Sequence, residues 1–137
     1  MNTFLPVQSF PVSARILDYR RLGKQRVEAN IVYNILLSGK AKGAWVNHPC
    51  TKMWRGYEMA LAEYYNCCVA EWKSRGYKNT MPFLFVDYNI LVYPKWLGND
   101  AFHAAMRSNL LRKDYEYYSQ FGWKEPNNLP YIWGNIK

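Results

Sequence analysis

The stretch Leu17-Asp18-Tyr19-Arg20-Arg21-Leu22-Gly23-Lys24-Gln25-Arg26-Val27-Glu28 concentrates the side chains best suited to chemistry on a polyanion. On a helix, Arg21, Lys24 and Glu28 share one stripe, so a carboxylate sits one and two turns from cations. Such a carboxylate stays ionised and lies beside any phosphate the cations bind. Arg20 and Arg26 add positive charge to the same stretch. A solvated helix face with ordinary ion pairs satisfies the same spacing.

Two histidines extend the candidate set. His48, between Asn47 and Pro49, falls in a turn from which it can donate to phosphate; a loop histidine satisfied by backbone is the alternative. His103 falls in the first turn of a helix, where free backbone N–H groups favour anions. His103 and Arg107 share a face at i, i+4, which suits phosphate or base-edge contact, or simple packing. Trp45, Trp54, Tyr57, Trp96, Trp123 and Trp133 are enough aromatics to stack an extruded base, although most must build core. Trp45 and Trp96 lie in loop sequence and are the better surface candidates.

Other templates fail. There is no phosphate-cradling glycine loop, no GxSxG and no HExxH. Cys50, Cys67 and Cys68 are odd in number and lack CxxC spacing, so neither a disulfide framework nor a zinc site is expected. A nuclease built on Asp18, Glu28 and His48 would need metal-ligand spacing that is missing, so no metal or other cofactor is expected. A free α-amine is one group that can act unaided, since its reference pKa of about 7.7 to 8.0 leaves a neutral, nucleophilic fraction near neutral pH.

Three helices must position these groups. The first is predicted from Ser13, as N-cap, to Leu37, closing at Ser38-Gly39, with Val27, Ile31 and Ile35 as its apolar stripe and Gly23 as a weak point. The second starts after Pro49 with Thr51 as N-cap and ends at Gly76, with Met53, Tyr57, Leu61, Tyr64, Cys68 and Trp72 three or four apart. The third starts at Asp100 as N-cap and runs to about Tyr118, with Phe102, Met106, Leu110 and Tyr117 inward. Residues 81–94 are rich in strand formers but bounded by prolines, and they read either as a hairpin or as a pair of extended segments. The tail, from Asn127 to Gly134, should lay its aromatics over the core.

The chain has 137 residues, the size of one domain, and half of them are apolar, which excludes a disordered chain. No run is long enough for a membrane span, and the start, Met1-Asn2-Thr3-Phe4-Leu5-Pro6, lacks signal-peptide features, so an intracellular, reducing compartment is expected. Net charge is +8, and residues 1–43 hold seven Lys/Arg against Asp18 and Glu28. A basic cluster of that kind gains affinity for polyanions by counterion release, with nucleic acid the leading partner and anionic lipid the second.

In order along the chain, Leu17-Asp18, Leu22 and Glu28 among arginines, Asn47-His48-Pro49, the aromatic helix ending Ser74-Arg75-Gly76-Tyr77, and His103 with Leu110-Leu111-Arg112-Lys113 resemble the pyrimidine dimer DNA glycosylases of the phage endonuclease V type. Thr3 to Pro6 and Arg21 to Glu28 look closer still to an uncharacterised bacterial and phage branch that begins Thr-Phe-Leu-Pro. The resemblance implies an all-α single domain over residues 1–137, with the N-terminus packed between helices near the acidic residue of the first. It implies metal-independent chemistry, in which an N-terminal α-amine attacks the deoxyribose C1′, displaces the base and forms an imine, and a carboxylate assists β-elimination.

The carboxylate maps onto Glu28, with Arg21, Lys24 and Arg26 as phosphate clamps. Arg20, Trp45, His48, His103, Arg107 and Lys113 complete the expected DNA-contacting set. Asn2 is a poor context for removing Met1, which leaves open whether Met1 or Asn2 supplies the amine. The expected partner is double-stranded DNA, bound by a monomer. The alternative is a nucleic-acid-binding protein that keeps the scaffold without turnover.

Overall fold

The structure, a computed structural model, describes residues 1–39 and 42–134. It is all-helical: α1 (Phe10–Ile16), α2 (Tyr19–Ser38), α3 (Pro49–Trp54), α4 (Glu58–Ser74), α5 (Asp100–Lys113) and α6 (Tyr115–Tyr118), the last continuing into a 3₁₀ turn at Ser119–Phe121. Each of the three expected helices is therefore divided in two, and each break has a local cause.

Ser13 is not a cap. Its hydroxyl is buried and bonded to both backbone groups of Val7, while Ser9 accepts from the Val12 N–H and starts α1. α1 stops at Leu17 because Arg75 collects the freed carbonyls: its Nη2 lies 3.2, 3.1 and 2.8 Å from the oxygens of Ala14, Arg15 and Leu17. The second division falls at Arg55-Gly56, where Gly56 takes φ +88°, a backbone that residues with a Cβ rarely adopt. The third falls at Asp114, whose extended backbone ends α5 and whose side chain caps α6 through the Tyr117 N–H. His48 rather than Thr51 caps α3, and Asn99 rather than Asp100 caps α5, each accepting a first-turn N–H.

The apolar stripe expected on the first helix is on the wrong face. Val27 and Ile31 are exposed, and α2 turns Leu22, Gln25, Ala29, Val32 and Tyr33 inward. The stripe on α4 holds, with Leu61, Tyr64 and Cys68 buried, as do Phe102, Met106 and Leu110 on α5. The most extensive helix pair is α2 on α4. A Cβ at Gly23 would lie 2.9 Å from the Trp72 ring, so glycine here lets α4 approach α2 rather than merely weakening the helix.

Residues 81–94 form no strand among the described residues. Instead the segment crosses α4 and turns at Asp87–Ile90, and the Asn66 carboxamide donates to the Leu84 carbonyl and accepts the Leu84 N–H, both at 2.8 Å. Trp96, expected at the surface, is buried and donates its indole N–H to the Met53 carbonyl. The tail aromatics Tyr131 and Trp133 pack against the core as anticipated, with Ile132 between them in sequence. No helix among the described residues is long and apolar enough to cross a membrane.

Candidate active site

Residues 2–7 cross the helices with no strand partner among the described residues, so the backbone groups of the segment must be met by side chains. Gln25, on the inner face of α2, behaves like a neighbouring strand: its Nε2 donates to the Asn2 carbonyl at 2.8 Å and its Oε1 accepts the Phe4 N–H at 2.9 Å. The Tyr64 hydroxyl, pushed far up in pKa by burial, stays protonated between Gln25 Oε1 at 2.5 Å and the Phe4 carbonyl at 3.1 Å. The Thr3 hydroxyl accepts from the Trp54 indole at 2.9 Å.

Farther along, His103 Nδ1 meets the Leu5 carbonyl at 2.7 Å and Arg107 Nη1 donates to the Pro6 carbonyl at 2.8 Å. Thr3, Phe4, Leu5 and Pro6 are all buried. This arrangement fixes the position of Asn2. Its backbone nitrogen donates to Glu28 Oε2 at 2.7 Å, one helical turn beyond Gln25.

Around that contact lies a pocket of about 530 Å³, lined by Met1, Asn2 and Phe4, by Arg20, Arg21, Lys24 and Glu28 from α2, and by Lys113 from the end of α5. Four cations thus surround one carboxylate. Arg21 is also paired with Asp18 at 3.3 Å, and Asp18 in turn accepts from the Tyr118 hydroxyl. A second hollow of about 500 Å³ shares Arg20, Arg21 and Lys113 and adds Tyr19 and Tyr77. These two exposed rings stand 5.9 Å apart, and Asp18 and Asp114 stand with the cations in the lining of this second hollow. Asn2 Oδ1 is buried and has no hydrogen-bond partner among the described residues, an acceptor available to a bound molecule.

The other expected residues are distributed differently. Arg26 lies 200° around the helix from Glu28, at 100° per residue. It packs over the Trp72 ring at 4.3 Å and donates to Asn79 at 2.6 Å, on the α4 side rather than in the pocket. Arg107 uses its remaining nitrogens on Glu125 at 2.8 and 3.0 Å, which holds that carboxyl below its usual range. His103 is buried, with Nε2 accepting the Gly98 N–H at 2.9 Å and Nδ1 donating to Leu5, so both ring nitrogens are engaged in the neutral form. His103 and Arg107 therefore stand behind the N-terminal segment.

His48 accepts the Cys50 N–H on Nδ1, which leaves Nε2 carrying the proton of the neutral ring. Burial first, and then the positive N-terminus, push it below the ordinary histidine range against the opposing pull of Glu28. Trp45 is half-exposed beside it, 5.4 Å ring to ring. Its φ of +69° is the one left-handed backbone among the described non-glycine residues. Cys50 borders the same region, but burial pushes its thiol up to about 11, away from nucleophilic use.

Gln25, Phe4, Tyr19 and Tyr77 are the residues that sequence reasoning missed. Phasing the α2 stripe on Leu22, Ala29 and Val32 would have exposed Gln25 as a polar side chain directed into the core. Among the described residues no group of three or more His, Cys, Asp or Glu gathers to hold a metal.

A search of the curated proteins and of the solved structures finds no match to the chain. The family model of the pyrimidine dimer DNA glycosylases matches residues 1–85, which contain the whole N-terminal segment, Gln25, Glu28 and three of the four pocket cations. Families of this kind act on DNA in repair, and by that match the chain belongs to the pyrimidine dimer DNA glycosylase family.

Proposed function

We propose that the protein is a metal-independent glycosylase and AP lyase of double-stranded DNA whose nucleophile is the amine of Asn2, exposed by removal of Met1, with Glu28 as its proton-transfer partner. The observation that carries this reading is the 2.7 Å separation of the Asn2 nitrogen and Glu28 Oε2 inside the cationic pocket. While Met1 is attached that nitrogen is a peptide nitrogen without nucleophilic character; once Met1 is gone it is a primary amine already at hydrogen-bond distance from a base.

The neutral amine attacks C1′ of the damaged nucleotide. The bond from C1′ to the base breaks, and the base leaves with the electron pair and takes up a proton. The nitrogen loses a proton, then drives out O4′, which is protonated as the C1′ imine forms. Glu28 next takes a proton from C2′; the electrons form the C2′–C3′ double bond and the 3′ phosphate departs. Water hydrolyses the imine and frees the amine. Arg20, Arg21, Lys24 and Lys113 would hold the phosphates on either side, where their charge also favours the departing phosphate.

The test is borohydride trapping on an abasic-site duplex with chelator present, using protein released from a cleavable fusion so that it begins at Asn2, beside protein that keeps Met1. The Asn2 form should give a covalent adduct that peptide mass mapping assigns to the first residue, and the Met1 form should give little. Adducts on a lysine would remove the N-terminal nucleophile. Tight binding with no adduct would leave a DNA-binding protein without turnover. A duplex carrying a pyrimidine dimer is the first glycosylase substrate to try, ahead of alkylated or oxidised bases.

A further inference from the structure

On a flank of the molecule that shares no lining residue with the N-terminal pocket, the tail crosses α3 and closes a recess of about 510 Å³. Tyr57, Tyr131 and Trp133 supply its rings, and Lys52, Arg55 and Lys95 its charge. No carboxylate stands among the described residues that line it. Lys52, Arg55 and Lys95 are exposed, and among the described residues the one side-chain hydrogen bond they make is from Arg55 to the Val46 carbonyl at 3.3 Å.

The rings are held in place. Tyr131 stacks on Trp133 at 5.1 Å and 29°, and Trp133 meets His48 edge to face at 5.7 Å. His48 continues to the exposed Trp45. Gly134 makes this crossing possible. Its φ is +81°, and a Cβ there would lie 2.8 Å from the buried Trp96 ring and 3.0 Å from Met53 Cβ. A glycine at this point thus seats Trp133 at the rim of the recess.

We infer that this recess binds an unpaired stretch of single-stranded DNA, its bases on Tyr131 and Trp133 and its phosphates on Lys52 and Lys95. The rings require a flat apolar partner, and the uncompensated cations require that partner to be anionic. A fully paired duplex satisfies the second demand and not the first, because its base faces are hidden in the stack. An apolar peptide satisfies the first and not the second. The aromatic series continues from the recess through His48 to the exposed Trp45. The inference goes beyond imine chemistry and does not depend on it.

The experiment is fluorescence anisotropy with a labelled six-nucleotide thymidine oligomer, read alongside tryptophan quenching, on the full chain. Wild type should bind in a saturable, salt-dependent way. Tyr131→Ala should weaken binding about 5- to 150-fold, the factor that one stacked base carries. The double variant Lys52→Ala, Lys95→Ala should remove close to two phosphate contacts from the salt dependence, lowering its slope by about 0.7 for each. Both should leave scission of a fully paired abasic duplex unchanged.

Absence of binding by wild type would overturn the inference. So would equal binding by the double variant, whose surface changes leave the fold intact, or equally strong competition from an undamaged paired duplex. An apolar peptide competing as well as the oligomer would assign the recess to a protein partner instead. Loss of adduct formation with oligomer binding intact would count against the imine reading alone.

Discussion

Two segments of this protein lie against helices with no strand partner among the described residues, and both are held in part by a side-chain carboxamide. In residues 2–7 the Gln25 carboxamide pairs with Asn2 and Phe4; in residues 81–94 the Asn66 carboxamide pairs with both backbone groups of Leu84. The settings differ. The N-terminal segment is also gripped by Tyr64 from α4 and by His103 and Arg107 from α5, with Thr3 to Pro6 buried. The later segment is pinned at Leu84 and at Pro82, where Tyr65 donates to the carbonyl, and leaves Phe85 79% and Tyr88 69% exposed. Side chains of the one helix α4 keep a chain on a surface. Contacts from α2, α3, α4 and α5 together fix one nitrogen of it to hydrogen-bond distance from one carboxylate, as the chemistry requires.

Substitutions can break the comparison at several depths. The largest effect is expected at Glu28, where Glu28→Gln keeps the hydrogen-bonding shape and removes the base. Abasic-site scission should fall by about 10²- to 10⁴-fold with DNA affinity retained, measured by gel cleavage and anisotropy on the same preparation. Equal loss of both would make Glu28 an anchor for the segment and nothing more.

Next comes Gln25→Ala, which strips partners from Asn2, Phe4 and Tyr64 in the core. It should cost about 3 kcal/mol in urea unfolding and lower kcat, because the Asn2 nitrogen is no longer held. The matching change in the other segment, Asn66→Ala, should cost about 1 kcal/mol and leave scission untouched, since the site there is half-buried and no chemistry hangs on it. If the two variants lose the same stability and activity, the two segments are not distinguished by their grip.

A pH series sharpens the same point. His103 and His48 are both held below the ordinary histidine range, first of all by burial. The folded state therefore takes up fewer protons than the unfolded chain below the unfolded value of about 6.5. Their contribution to stability is present above that pH and is lost as pH falls through about 6.5 toward their folded values. Urea midpoints should drop between pH 7.5 and 5.5, and His103→Gln should flatten part of that drop; a midpoint rising toward acid would reverse the assignment. The smallest effect is expected at Phe85→Ser, within about 0.5 kcal/mol, because this ring is already in water.

Much of the helix content was legible in advance. The α4 and α5 stripes follow from apolar spacing, and the end of α2 follows from Ser38-Gly39, where Gly39 takes φ +66°. The grouping of Arg21, Lys24 and Glu28 was equally legible, because residues within two turns of one helix keep their relation whatever surrounds them. The phase of α2 was not, because the face that enters the core carries Gln25 and Ala29 while Val27 and Ile31 face water. A polar residue buried to satisfy another segment's backbone defeats any reading that ranks faces by apolarity alone.

What the sequence determined by itself was local: helical periodicity, the basic character of the first third, the absence of metal and disulfide spacing, and the run that carries Glu28. Tertiary structure decided which distant groups meet, only the nearness of the N-terminus to Glu28 having been implied by the family resemblance. It brought the Asn2 nitrogen to Glu28, turned His103 and Arg107 to grip the N-terminal segment from behind, moved Arg26 onto Trp72, and seated Trp133 beside Lys52 and Lys95. The physical reason is that these pairings satisfy buried backbone and cover apolar rings across long separations in the chain. Such demands arise only when the helices pack.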